Sequence, residues 1–171
     1  MTDKIRVLVV DDEPLARSGL TALCERDEDL AVVGECADGR EAVDAIRRLQ
    51  PDLLLLDIQM PELDGFEVLR AIGPEQMPQV VFVTAFDEFA VRAFEVHALD
   101  YLLKPFDDER FFVAIERAKR ALWEPALGEL SRRLIGLLEA VSDGSPVAAA
   151  AHRAESQYLT RIAVKDLGRV Y

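Results

Sequence analysis

Five short, largely aliphatic runs recur along the chain, at residues 5–10, 31–34, 53–56, 80–83 and 101–103. Within them apolar residues follow one another instead of alternating with polar ones. Each therefore reads as a strand covered on both faces, the pattern of a parallel sheet. Between the runs the apolar period lengthens to that of a helix. The first helical stretch opens near Pro14, a residue suited to a first turn, and carries Leu15, Leu20 and Leu23. The second opens at Asp38-Gly39, carries Ala42, Val43 and Ile46, and ends before Pro51. A third carries Phe66, Val68, Leu69 and Ile72 and stops at Gly73-Pro74, and a fourth is expected over about residues 87–97. The fifth is announced by Asp107, Asp108 and Glu109, acids at a helix start, and carries Phe111, Phe112, Ile115, Ala118 and Leu122. Five strand–helix units with right-handed crossovers predict an α/β, doubly wound parallel five-stranded sheet.

Charge narrows what such a sheet can bind. Of 20 basic and 32 acidic side chains, residues 1–122 hold 14 and 26, a net charge of −12, while residues 123–171 are balanced at 6 and 6. An acidic body repels nucleic acid phosphates and suits a divalent cation. With half of the residues apolar, the chain has enough material for one buried core. The apolar runs, Leu53–Leu56 among them, fall far short of the roughly 20 residues a membrane helix needs. Together with an N-terminus that lacks an export signal, this predicts a cytoplasmic protein with no membrane partner. Cys24 and Cys36 have no metal-ligand spacing, and His97 and His152 have no convergent ligands; all four are read as structural or solvent-facing.

After Leu122 the texture changes. Residues 123–141 read as a linker helix, with Leu127, Leu130, Leu134, Leu137 and Val141 forming a narrow stripe suited to a partner helix. Residues 142–156 are rich in Ser, Gly, Pro and Ala and read as a flexible linker. In 157–171, Ile162 and Val164, then Asp166-Leu167-Gly168, suggest a strand and a tight turn. The text thus reads as the start of a further domain, too short to fold alone.

The polar residues that matter fall directly after strands: Asp11 and Asp12 after the first, Asp57 after the third, Thr84 after the fourth and Lys104 after the fifth. In an open parallel sheet the carboxyl ends of the strands line the ligand crevice. Three carboxylates brought to about 5 Å repel by about 3 kcal/mol per pair at an effective dielectric of about 20. A hard cation relieves this, and Mg²⁺ suits few carboxylates with an incoming phosphate. An aspartate can act as a nucleophile toward phosphorus, with Thr84 and Lys104 meeting the transferred oxygens. Singly, each residue has an ordinary alternative. Asp11 and Asp12 could cap a helix, Asp57 could form a turn, Thr84 could merely end a strand, and Lys104 could be a solvated loop residue.

Four motifs, in this order and spacing, make the pattern specific. Val9-Val10-Asp11-Asp12-Glu13-Pro14, Leu56-Asp57-Ile58-Gln59-Met60-Pro61 with Asp64-Gly65, Val83-Thr84-Ala85, and Tyr101-Leu102-Leu103-Lys104-Pro105-Phe106 resemble the receiver domain of bacterial response regulators, over residues 4–122. The resemblance implies a flavodoxin-like sheet of order 2-1-3-4-5 with a C-terminal helical extension, and a receiver domain over 1–122. It implies phosphorylation of Asp57 by a sensor histidine kinase, with Mg²⁺ bound by Asp11, Asp12, Asp57 and the backbone of Gln59. Thr84 and Tyr101 match the switch pair, Ala85 leaves access to the phosphoryl group, Lys104 binds it, and a cis bond is expected before Pro105. The chain is expected to be a phosphoacceptor and not an enzyme.

The stretch from Thr84 to Pro105, and Tyr158-Leu159-Thr160-Arg161-Ile162-Ala163-Val164, resemble regulators with a C-terminal LytTR DNA-binding domain. Residues 157–171 would be its truncated start, so promoter DNA would be bound only through the missing part. Phe86, Phe89, Ala90, Ala93, Phe94 and Val96 wrap more than one side of the fourth helix. Phe89, Ala93 and Phe94, with Leu130 and Leu134, are therefore candidates for a homodimer surface. Two alternatives remain open: an aspartyl-phosphate phosphatase, and a receiver that signals by protein contacts alone. The phosphatase would need an acid two residues after its nucleophile, where this chain has Gln59.

Overall fold

Leu53, Leu54, Leu55 and Leu56 form one strand, and none of them exposes any surface. A strand loses both faces to solvent only inside a layered sheet, so this tetrapeptide marks the centre of the molecule. The computed structural model describes residues 3–124 and 136–138. Five parallel strands, β1 (Ile5–Val10), β2 (Leu30–Cys36), β3 (Leu53–Leu56), β4 (Gln79–Thr84) and β5 (Asp100–Leu103), lie in the order β2-β1-β3-β4-β5. The intervening helices are α1 (Pro14–Glu25), α2 (Gly39–Leu49), α3 (Gly65–Ile72), α4 (Ala90–Glu95) and α5 (Asp108–Trp123). This is the flavodoxin-like order, with its switch point between β1 and β3.

Side chains alternate across the strands and so build two cores. Leu8, Val10, Leu54, Leu56 and Phe82 pack against Ala42 and Ile46 of α2, Phe66 and Leu69 of α3, and Ala93 of α4. Val7, Val9, Leu53, Leu55 and Val83 pack on the other face against Leu20 and Cys24 of α1 and Phe111, Ile115 and Ala118 of α5. Helix starts follow from local chemistry. Asp38 and Asp107 accept the N–H groups of Glu41 and Arg110, each at 2.8 Å, and Asp64 forms a reciprocal capping box with Glu67.

Three expectations change. β2 is longer than residues 31–34, and β2, like β5 at the other edge of the sheet, is only partly buried instead of covered on both faces. It also bulges, since Val7 pairs with Val32 while Leu8 pairs with Gly34. The fourth helix spans only Ala90–Glu95 and not 87–97, because Phe89 is an N-cap without a side-chain hydrogen bond. At its other end His97 turns left-handed (φ 62°), with Ala98 N–H on the Ala93 carbonyl and His97 N–H on that of Phe94. This is a Schellman stop with histidine in the place glycine usually takes. Finally, Ala93 is a dimer candidate that the structure removes, being 2 % exposed within the α2–α3–α4 core. Leu130 and Leu134, most of the 123–141 helix and all of 142–171 lie outside the described residues. Among the described residues, no helix is long and apolar enough to cross a membrane.

One buried cation ties the two ends of this layer together. Lys119 on α5 holds Asp27 at 2.7 Å and Asp29 at 2.9 Å on the α1–β2 turn, with Glu116 at 3.3 Å. Burial works against its charge, but hydrogen bonds to Asp27, Asp29 and Glu116 outweigh that and lift its pKa above the usual lysine range. A Lys119→Met substitution is expected to lower stability by about 2 kcal/mol in urea denaturation, the scale of charged hydrogen bonds lost. A raised lysine keeps its contribution at every pH below the unfolded value of about 10.4 and loses it only as pH rises through the folded one. The loss should therefore be equal at about pH 6 and about pH 9.

Candidate functional site

The carboxyl ends of β1, β3, β4 and β5 deliver Asp11, Asp57, Thr84 and Lys104 to one place, beside the switch point of the sheet. Each enters it straight from a strand, so its backbone is fixed by the ladder: Asp11 N–H bonds to the Cys36 carbonyl, Asp57 N–H to that of Val10 and Lys104 N–H to that of Thr84. Asp11 and Thr84 are wholly buried and Asp57 is 5 % exposed, whereas Asp12 is exposed at the rim. Neither Asp11 nor Asp12 is the N-cap of α1; that residue is Glu13, and Asp11 Oδ1 accepts its N–H at 2.9 Å.

Lys104 reaches both buried acids, with Nζ 2.6 Å from Asp11 Oδ2 and 3.5 Å from Asp57 Oδ2. Burial opposes the lysine charge, but the Asp11 hydrogen bond and the Asp57 and Asp11 carboxylates prevail and raise its pKa. For Asp57 the balance tips the other way. Burial raises its pKa, Lys104 offsets part of that, and Asp11 adds to the rise. Asp57 Oδ1 is buried with no hydrogen-bond partner among the described residues. A buried, unpartnered carboxylate oxygen is costly and marks where a ligand belongs.

Carboxylate oxygens of Asp11, Asp12 and Asp57 lie within 4.8 Å of one another. Three hard oxygen donors, one of them unpartnered, fit a small divalent cation that keeps several waters. Gln59 lies on the exposed loop that follows Asp57, and Ala85 is exposed after Thr84. The loop beyond Gln59 returns closely. A Cβ on Gly65 would stand 2.7 Å from the Asp57 carbonyl oxygen, so only glycine fits there. The Lys104–Pro105 peptide is cis. The Tyr101 hydroxyl donates to the Phe86 carbonyl, and burial, followed by the charges of Asp87, Asp57 and Glu88, pushes its pKa up to about 12.

The family model of the response regulator receiver domain matches residues 7–116. The chain belongs to the response regulator receiver family. The receiver is 50 % identical over 116 residues to the transcriptional regulatory protein BtsR of Salmonella typhi, and 48 % identical over 116 residues to that of Escherichia coli K12. Each match covers 68 % of the chain and 48 % of the relative, so the chain spans about half the length of the curated relatives it matches. Among solved structures it is similar to the response regulatory domain of mrkE from Klebsiella pneumoniae, at TM-score 0.65 and 33 % identity, covering 70 % of this chain and 98 % of that one. It is also similar to the response regulator domain of Thermotoga maritima CheB, at TM-score 0.62 and 33 % identity, covering 70 % and 96 %. It is thus the receiver domain of a two-component response regulator.

Two features of the receiver escaped the sequence. Gly65 was visible only as part of a motif, because its need for a bare Cα comes from a loop folding back. Arg17, whose Nη1 donates to the Asp11 carbonyl at 2.7 Å, carried no signal beyond that of a surface helix cation. The state of Asp57 has a measurable consequence. A carboxylate with a raised pKa opposes folding at neutral pH, and the penalty is relieved as pH falls through the raised value. Asp57→Asn is therefore expected to raise the melting temperature at pH 7 in EDTA. Mg²⁺ at about ten times its Kd should stabilise the wild type by about 1.4 kcal/mol and the variant by less, in calorimetric melts.

Proposed function

We propose that this receiver accepts a phosphoryl group on Asp57 from the phosphohistidine of a sensor histidine kinase. Mg²⁺ would be held by Asp11, Asp12, Asp57 and the Gln59 carbonyl. The observation that carries the reading is the buried, unpartnered Asp57 Oδ1 beside both Lys104 and the three-carboxylate cluster. A bound Mg²⁺ supplies positive charge that offsets the crowded acids and the incoming phosphoryl oxygens. Asp57 forms the new O–P bond while the P–N bond to the donor breaks, and the departing imidazole takes its proton from water. Lys104 would leave Asp11 for a phosphoryl oxygen, and Thr84, wholly buried at the end of β4, would donate its hydroxyl to another.

The new anion would then draw Thr84 toward it, and Tyr101 would leave the Phe86 carbonyl and turn inward. Such a charge-biased repacking is how a local modification shifts a two-state element. Phe86 on the loop before α4, Val96 at its C-cap and Leu103 of β5 are 37 %, 42 % and 44 % exposed, and Phe89 and Phe94 are partly buried. We assign this surface, with Leu130 and Leu134 beyond the described residues, to a homodimer. The receiver domain would end near residue 122, followed by the 123–141 helix, the 142–156 linker and, at 157–171, the start of a LytTR-type domain. The whole protein would act in the cytoplasm and bind promoter DNA through that domain, in keeping with relatives named transcriptional regulatory proteins. An aspartyl-phosphate phosphatase is disfavoured, because the place of its general acid is taken by Gln59.

Incubation with acetyl phosphate and Mg²⁺ should add the mass of one phosphoryl group to the intact wild type and none to Asp57→Asn. An unmodified wild type would overturn the proposal. Light scattering is expected to show dimer with beryllofluoride and monomer without it. A monomer in both conditions would remove the dimer assignment while leaving phosphorylation in place.

A further inference from the structure

Every polar atom of Asp11 is engaged. Its N–H donates to the Cys36 carbonyl at 3.1 Å, Oδ1 accepts the Glu13 N–H at 2.9 Å, and Oδ2 accepts Lys104 Nζ at 2.6 Å. The remaining atom, the carbonyl oxygen, accepts Arg17 Nη1 at 2.7 Å. Arg17 is half-buried, and its own N–H rests on the Glu13 carbonyl at 3.0 Å. Helix α1 thus reaches back over the loop that precedes it and closes a ring of hydrogen bonds through Asp11, Glu13 and Arg17.

The ring bears on the next residue. Asp12 is exposed, and it follows Asp11 through a planar peptide whose oxygen is the atom that Arg17 grips. Fixing that oxygen fixes the peptide plane, and with it the Cα from which the Asp12 carboxylate projects into the cluster. We infer that Arg17 is a positioning residue for the divalent ion, aiming the Asp12 carboxylate by holding the Asp11 carbonyl. This rests on the metal reading given above.

Charge and position predict opposite signs here, which makes the inference sharp. A guanidinium beside a cation site repels the cation, so if its charge were what mattered, removing it would tighten binding. If its grip on the carbonyl matters, removing it weakens binding. Partners that orient a metal's ligands are worth about tenfold or more in affinity.

The test is Mg²⁺ and Mn²⁺ titration calorimetry on the 171-residue chain, comparing wild type, Arg17→Met and Arg17→Lys, with melts of each in EDTA. Arg17→Met is expected to weaken both ions about tenfold. Arg17→Lys, which keeps the charge and one donor, should weaken them less. Arg17→Met leaves the Asp11 carbonyl without its donor, so its EDTA melt should fall while the variant stays folded at the titration temperature, and the rate of phosphorylation by acetyl phosphate should return to the wild-type value at saturating Mg²⁺. Unchanged or tighter binding by Arg17→Met overturns the inference, as does a phosphorylation rate that stays below the wild-type value at saturating Mg²⁺. A wild type that binds neither ion overturns the metal reading and this inference with it, whereas a binding wild type with an unaltered variant overturns the inference alone.

Discussion

Asp11 and Asp57 are two buried acids that neighbouring strands force together, and the Lys104 ammonium is what lets them stay. Parallel pairing of β1 with β3 places both residues one step past the same edge, where neither can retreat without breaking its own ladder hydrogen bond. The lysine arrives from β5, two strands away from β3, and bonds tightly to Asp11 while standing farther from Asp57. Neutralisation is therefore uneven. Asp11 is satisfied at every polar atom, and Asp57 keeps one oxygen with no partner. Asp57 is thus the less satisfied of the two buried carboxylates, and a ligand that brings positive charge or donors finds its gain there.

A chain of aromatic contacts lies between β4 and the loop that leads into α4. Phe82 of β4 lies 5.1 Å from Phe66 of α3 and 6.4 Å from Tyr101 of β5, measured between ring centroids. Phe66 in turn meets Phe89 at 6.2 Å, Phe89 meets Phe86 at 6.2 Å, and the Phe86 carbonyl accepts the Tyr101 hydroxyl. The path closes on itself around the end of β4, where Thr84 sits. Arg92 of α4 lies 4.1 Å over the Phe66 ring and adds a cation–π contact to the same group. The Phe86 N–H also donates to the Thr84 hydroxyl, at 3.4 Å, so the loop that carries this ring is tied to the end of β4. α4 has six residues and no side-chain N-cap, and Tyr101 holds the Phe86 carbonyl on the loop that leads into it.

Much of this was legible in one dimension. The strands were readable because their apolar runs are continuous, and Asp38 and Asp107 sit where helix starts place a capping acid. The four strand-end motifs were readable because a parallel sheet sends every carboxyl end to the same rim. Other features stayed hidden. His97 stops α4 in a left-handed conformation without the glycine that usually announces one. Ala93 read as surface because apolar residues wrap more than one side of its helix, yet it is buried in the core that the sheet shares with α2 and α3. β2 and β5 read like the inner strands, and only the strand order makes them edges.

Local sequence thus determined what forms: which segments extend, which coil, where caps fall, and which side chains stand at strand ends. Those outcomes depend on contacts within a few residues and on periodicity, and both are written along the chain. The tertiary structure alone decided which groups end up short of a partner and which are held. Lys104 choosing Asp11 over Asp57, Arg17 gripping the Asp11 carbonyl, Gly65 pressing on the Asp57 backbone and the bare Asp57 Oδ1 all join residues from separate segments. Their distances are set by how helices pack across a twisted sheet, a balance of many weak long-range contacts that no single stretch of sequence contains.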